Sequence, residues 1–282
     1  MILPGETTEY GIYHNARIKV YPDGSREVLA ASRPIFRAPG YEERRPAADK
    51  GGEPRRSASE ENRADNLSRA QRRARTAVRD LALSNPMAYF ITLTLSADKV
   101  DRYDMAAVMR KVNIWLDNQV RRRGLAYIII PELHKDGAIH FHGLCNAALA
   151  VVDSGTMVPP GGGKPKRPRS AAQRAAWLDG GGRVVYNLPG WGYGFSEAMA
   201  LYGDYRRAIS YVCKYISKGA EKVGGRWYYH GGQLVHPSVQ MADMDYGDVV
   251  NLPGAACFGV DTLGGVEFCV WRMEDRDGDG RD

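Results

Sequence analysis

A chain of 282 residues that is 44% hydrophobic is long enough to bury a sizeable core, and no low-complexity, collagen-like or transmembrane composition is present. Its longest apolar run, 125–130, is far too short to span a bilayer, and the N-terminus lacks the basic and apolar regions of a secretory signal, so a cytoplasmic protein without a membrane partner is expected. Lysine and arginine outnumber acids 39 to 33, for a net charge of +6, and the excess is clustered at Arg69, Arg72, Arg73, Arg75 and Arg79, at Arg121, Arg122 and Arg123, and at Lys164, Lys166, Arg167 and Arg169, which favours a polyanionic partner. Cys145, Cys213, Cys257 and Cys269 make no Cys-x-x-Cys pair and read as reduced thiols, against a zinc knuckle.

In chain order, residues 9–31 alternate as a hairpin, 12–21 and 27–31, around Pro22-Asp23-Gly24-Ser25. The segment 37–65 shifts to Pro, Gly, Ser and mixed charge and reads as a linker. Asn66 is placed to cap a basic helix over 67–83, stopped before Pro86. A strand over 88–95 sets Phe90, Thr92 and Thr94 on one face. Residues 104–123 have helical spacing and stop at Gly124; 125–130 reads as a buried strand.

Residues 150–182 read as an irregular insertion with a short helix over 171–178. Gly163-Lys164-Pro165 lacks the earlier glycine and the following Ser or Thr of a phosphate loop. Strands are expected at 184–187 and 194–199, a helix at 204–218, then strands at 227–229, 233–235, near Val249 and at 265–271. The tail, 274–282, is acidic, and its Asp-x-Asp-x-Asp spacing ends before a calcium loop could close. The domains expected are an N-terminal hairpin (1–36), a linker (37–65), a main domain (66–240) and C-terminal strands with the tail (241–282).

Two stretches carry chemistry. In Ala138-Ile-His140-Phe-His142-Gly-Leu144, strand alternation sends both imidazoles to one face, about 6–7 Å apart, where they can share a divalent ion. Glu132 stands upstream across a Lys135-Asp136-Gly137 turn, with His134 as an alternative third ligand. In the helix over 204–218, Tyr211, Lys214, Tyr215 and Lys218 fall within about 100° of one another, opposite Ile209, Val212, Cys213 and Ile216. A free tyrosine is only about 0.1% phenolate at neutral pH. As a nucleophile toward a phosphodiester it needs a metal to draw charge from the phosphate and a cation beside it, and the two stretches supply both.

With these residues in view, the sequence resembles rolling-circle replication initiators of the HUH endonuclease superfamily, of the filamentous-phage gene II and microvirus type. Phe90-Ile-Thr-Leu-Thr94, His140-Phe-His142 and Tyr211-x-x-Lys-Tyr215-x-x-Lys218 look like that family's three motifs in order, with Pro131-Glu132-x-His134 and Trp227-Tyr-Tyr229 in keeping, over about 66–240. The resemblance implies an α+β fold with a central antiparallel sheet flanked by helices, an RRM-like palm. It also implies Mg²⁺ or Mn²⁺ held by Glu132, His140 and His142. Tyr215 and Tyr211 would be nucleophiles assisted by Lys214 and Lys218, forming a 5′-phosphotyrosine link that starts and ends replication of a phage, plasmid or integrated element. The partners implied are single-stranded or supercoiled origin DNA, bound in part by Arg69, Arg72, Arg73, Arg75 and Arg79, and a host helicase and polymerase in a bacterial cytoplasm. The competing readings are a conjugative relaxase and a non-catalytic basic module that binds single-stranded DNA.

Overall fold

The computed structural model describes residues 6–8, 11–37, 60–134, 136–201, 203, 205–219, 221–260 and 265–273. The linker stretch 38–59 and the acidic tail 274–282 lie outside them. The chain divides into two compact units, 58–235 and a second one built from 1–57 together with 236–282. Both are α+β with antiparallel sheets, and no described helix is long and apolar enough to cross a membrane.

In the discontinuous unit, β1 (Glu6–Thr8), β2 (Gly11–His14), β3 (Ala16–Val20), β4 (Arg26–Ala31) and β5 (Phe36–Arg37) come from its first segment. The expected hairpin is the β3–β4 pair, but the strand drawn from residue 12 is broken at Asn15. That side chain is buried because its amide donates to the carbonyls of Ala31 and Met244 and its oxygen accepts from the Met244 N–H.

The other unit begins with α1 (Glu60–Ser84), β6 (Tyr89–Thr94), α2 (Met105–Arg123), β7 (Tyr127–Leu133) and β8 (Ile139–Cys145). It continues through β9 (Val152–Val158), α3 (Ala171–Asp179), β10 (Arg183–Asn187), β11 (Ser196–Ala200), α4 (Tyr205–Lys218) and β12 (Tyr229–Gly231). The chain then returns to the first unit with β13 (Ser238–Ala242), α5 (Tyr246–Val250), β14 (Ala256–Val260) and β15 (Val266–Met273). These complete a five-stranded sheet ordered β13-β3-β4-β15-β14, so the N-terminal hairpin and the C-terminal strands, assigned apart in the sequence, share one sheet.

Several expectations are corrected. α1 starts at Glu60, which puts Asn66 inside the helix, exposed, rather than at its cap. The 150–182 stretch is not irregular throughout: β9 pairs with β10 along its length, hidden from a periodicity reading by the polar run Asp153-Ser-Gly-Thr156. The region near Val249 is a helix, α5, capped by Asp245 accepting from the Gly247 N–H, and not a strand. Residues 233–235 form no strand, and the strand drawn at 227–229 runs over β12. Cys257 and Cys269 are directly opposed across β14 and β15, 4.1 Å apart at Cα, and form a disulfide. The expectation of four thiols therefore holds for Cys145 and Cys213 alone. Pairing across a sheet needs no short sequence motif, which is why spacing did not reveal it.

The seven-stranded sheet of the 58–235 unit runs β12-β7-β8-β6-β11-β10-β9, so β8 sits between β7 and β6. Its two faces bury different partners. Ile129, Phe141 and Leu93 pack with Val108, Val112 and Leu116 of α2, a helix opened by an Asp104 cap and closed by Gly124 in the left-handed region at φ 72°. Arg121, Arg122 and Arg123 complement the dipole of its last turn. On the opposite face, Ile128, Ile130 and Leu144 pack against Val78, Leu81 and Ala82 of α1 and Ile209, Val212 and Ile216 of α4.

Gly143 lets the two central strands meet closely: a β-carbon there would strike the Ile128 carbonyl oxygen and come within 2.9 Å of Ile129 Cα. Gly143→Ala is expected to lower stability by about 1–3 kcal/mol, seen as a drop of several degrees in thermal unfolding. An unchanged melting temperature would show that the strands separate freely.

Candidate active site

Alternation along three adjacent strands places the site on the face covered by α1 and α4. In the pairing register Thr94 opposes His140, Thr92 opposes His142, and Glu132 opposes His140 from the other side. Each imidazole has a threonine hydroxyl near its Nδ1, 3.4 Å for Thr94 to His140 and 3.3 Å for Thr92 to His142. The Glu132 carboxylate reaches diagonally to His142 Nε2 at 3.0 Å and, through its other oxygen, accepts from Lys218 Nζ at 3.1 Å. His134 is instead drawn to Asp136, 3.3 Å away, while its ring stacks on His140. It is therefore Glu132 that meets His142.

α4 lays its tyrosines over this surface. The Tyr215 ring stacks on His142, centroids 3.8 Å apart and nearly parallel, and Lys218 Nζ sits 4.5 Å from the centre of the Tyr215 ring. The Tyr215 hydroxyl donates to Tyr211 Oη at 2.9 Å, and Tyr211 meets Phe90 edge to face. Tyr215 is buried and Tyr211 half exposed. The helical wheel accounts for this, since Tyr215 stands at the edge of the polar stripe nearest Val212. Lys214 is exposed, and among the described residues it forms no ion pair with Glu132.

Burial sets the electrostatics. It lowers the His142 imidazole to about 4, against the opposing pull of the Glu132 carboxylate, and it lowers His140, with His134 adding to the effect. Both rings are thus held neutral, the form that ligates metals. Burial also raises the Tyr215 phenol, helped by its hydrogen bond to Tyr211 and by the Glu132 charge.

Among the described residues no three His, Cys, Asp or Glu side chains already converge on one metal position. The donor chemistry nevertheless fits a divalent ion: two neutral imidazoles and a carboxylate share one face, with the Nδ1 atoms occupied by threonines and Nε2 of His142 turned to the carboxylate. Thr92 and Thr94 in this supporting role were missed by the sequence reading, because only the strand register shows which face residues oppose the histidines. Trp191 is a further support, its indole N–H donating to the Thr94 carbonyl at 3.2 Å.

The arginines of α1 divide. Arg72 and Arg73 are exposed, Arg69 is exposed with an ion pair to Asp65, and Arg75 donates to Ser217 on α4. Gln71 on the same helix donates to the Gly219 carbonyl, which sets this stretch of α1 beside the Lys218 end of the site. Arg79 is only partly exposed and is paired with Asp80, so it is not part of an open basic surface. Replacing Arg69, Arg72, Arg73 and Arg75 with Ala is expected to weaken DNA binding and to flatten the plot of log affinity against log salt by up to about 0.9 for each phosphate no longer neutralised. Fluorescence anisotropy over a salt series measures this. An unchanged slope would make the patch a solvated helix face.

The fold and site define an α+β protein whose central antiparallel strands present histidines and a carboxylate to a helix bearing paired tyrosines. Residues 88–220 match the family model for replication-associated protein ORF2/gene II protein, a span that runs from β6 through α4 and holds Glu132, both histidines and both tyrosines. The match supports a role in initiating rolling-circle replication. No curated protein and no solved structure matches the chain.

Proposed function

We propose that the chain is an HUH-type endonuclease and strand transferase that nicks and rejoins one DNA strand to start and finish rolling-circle replication. The observation that carries this reading is the stack of Tyr215 on His142, with Lys218 spanning the Tyr215 ring and the Glu132 carboxylate. It puts a nucleophile, a cation and a metal-ligand set within one cluster. Glu132, His140 and His142 are the residues that would hold Mg²⁺ or Mn²⁺, whose charge draws electron density from the scissile phosphate.

Tyr215 attacks phosphorus through its phenol oxygen, giving up its proton. The deoxyribose 3′ oxygen leaves and is protonated, which yields a 5′-phosphotyrosine and a free 3′ hydroxyl. Lys218 stabilises the developing phenolate charge at short range. Tyr211, hydrogen-bonded to Tyr215, takes the second transfer, and the phosphotyrosine bond conserves the energy needed to rejoin the strand. A host polymerase and helicase extend from the 3′ hydroxyl in the bacterial cytoplasm.

The test is incubation of the chain with Mn²⁺ and 5′- or 3′-labelled single-stranded DNA carrying its own coding and flanking sequence, followed by denaturing electrophoresis. A protein band that carries the label from the 3′ side of the nick, lost on adding EDTA, is expected. DNA that remains bound but uncut would turn the reading to a non-catalytic single-strand binder.

A further inference from the structure

The sheet face that holds the site does not end at β6. The Thr94 N–H donates to the Phe195 carbonyl at 2.8 Å, so Phe195, Thr94, His140 and Glu132 form one cross-strand row. The next row is Glu197, Thr92 and His142, and the third is Met199, Phe90 and Leu144. Phe195 therefore shares the face of the histidines, two strand spacings or about 10 Å from β8.

Its ring is 76% exposed, the most exposed large apolar side chain among the described residues. Trp191 and Tyr193, just before it, are packed into the core, with Trp191 only 5% exposed. Leaving a phenyl ring in water forgoes about 1.5–3 kcal/mol of burial. No aromatic ring or cation is paired with it among the described residues. At the third row the same face opens into a cleft of about 600 Å³ lined by Phe90, Met199, Leu201, Tyr211, Arg183 and Arg207. Apolar and aromatic groups on the floor with guanidinium groups at the walls suit a ligand that is flat and apolar in its faces and anionic along its backbone.

We propose that Phe195 and this cleft form a binding site for unpaired nucleotides of the DNA strand adjoining the scissile phosphate. Phe195 stacks on one base, while Arg183 and Arg207 meet phosphates further along. Glu197, between them on the same face, repels phosphate, so the bases rather than the backbone turn toward the sheet at that row. A duplex hides its base faces and does not satisfy such a site. The inference deepens the nicking reading and rests on it for the identity of the strand.

The test compares three probes on the full chain: oligothymidine, an abasic strand with the same number of phosphates, and a duplex. Phe195→Ala is expected to weaken oligothymidine binding about 5- to 150-fold and to leave abasic-strand and duplex binding, and the melting temperature, unchanged. Phe195→Trp is expected to restore the affinity and to add a tryptophan emission that oligothymidine quenches and the abasic strand does not. Unaltered oligothymidine affinity in Phe195→Ala, or an equal loss on the abasic strand, overturns the stacking site. That failure is distinct from failure of the nicking reading, which shows instead as a wild-type chain that discriminates bases but forms no covalent adduct.

Discussion

Tyr215→Phe is expected to abolish the first covalent protein–DNA adduct while leaving folding and DNA affinity nearly intact. Phe keeps the ring stacked on His142 and beneath Lys218 and removes only the hydroxyl that donates to Tyr211. The Tyr215 phenol is held above its ordinary range by burial, so losing its hydroxyl leaves no buried charge behind and costs about 1 kcal/mol of hydrogen bonding. Tyr211→Phe is expected to form the first adduct but to fail in releasing closed circles, since the second acceptor is gone. Labelled adducts on denaturing gels and the yield of circular product separate the two steps. If both single variants complete the cycle, the tyrosines exchange roles; if the double variant still forms adduct, the nucleophile lies elsewhere.

The double variant His140→Ala, His142→Ala is expected to reduce nicking by about a thousandfold or more, because loss of metal assistance removes several kcal/mol from the transition state. DNA binding is expected to stay within a few-fold of wild type, since phosphate contacts from arginine and lysine dominate affinity. The two rings are only partly buried and lie at the sheet surface, so the unit folds without them, although His142 leaves a gap under Phe90 and Tyr215. Nicking rates across a Mn²⁺ titration, with melting curves as control, test this. Nicking that persists in the double variant, or in excess EDTA, removes these residues from the reaction.

Short-range regularities of the site were readable before the fold. Alternation in Ile139–Cys145 fixed that His140 and His142 face the same way, and the Asp104 cap and Gly124 stop bounded α2. The 3.6-residue period of α4 put both tyrosines and Lys218 on one side. These are statements about residues within one or two turns or along one strand, where backbone geometry alone decides.

What only the tertiary structure decided depends on which strands pair and in what register. That register brings Thr92 and Thr94 to the imidazoles, directs Glu132 rather than His134 to His142, and sets Phe195 in the same row. It also draws Lys218 into the cluster while Lys214, on the same stripe, stays outside, and it joins residues 16–31 to 238–273 in one sheet with a cross-strand disulfide. The physical reason is that strand partners far apart in sequence are chosen by the burial of whole faces against α1, α2 and α4, and the period-2 pattern of a single strand is the same for every partner it might take.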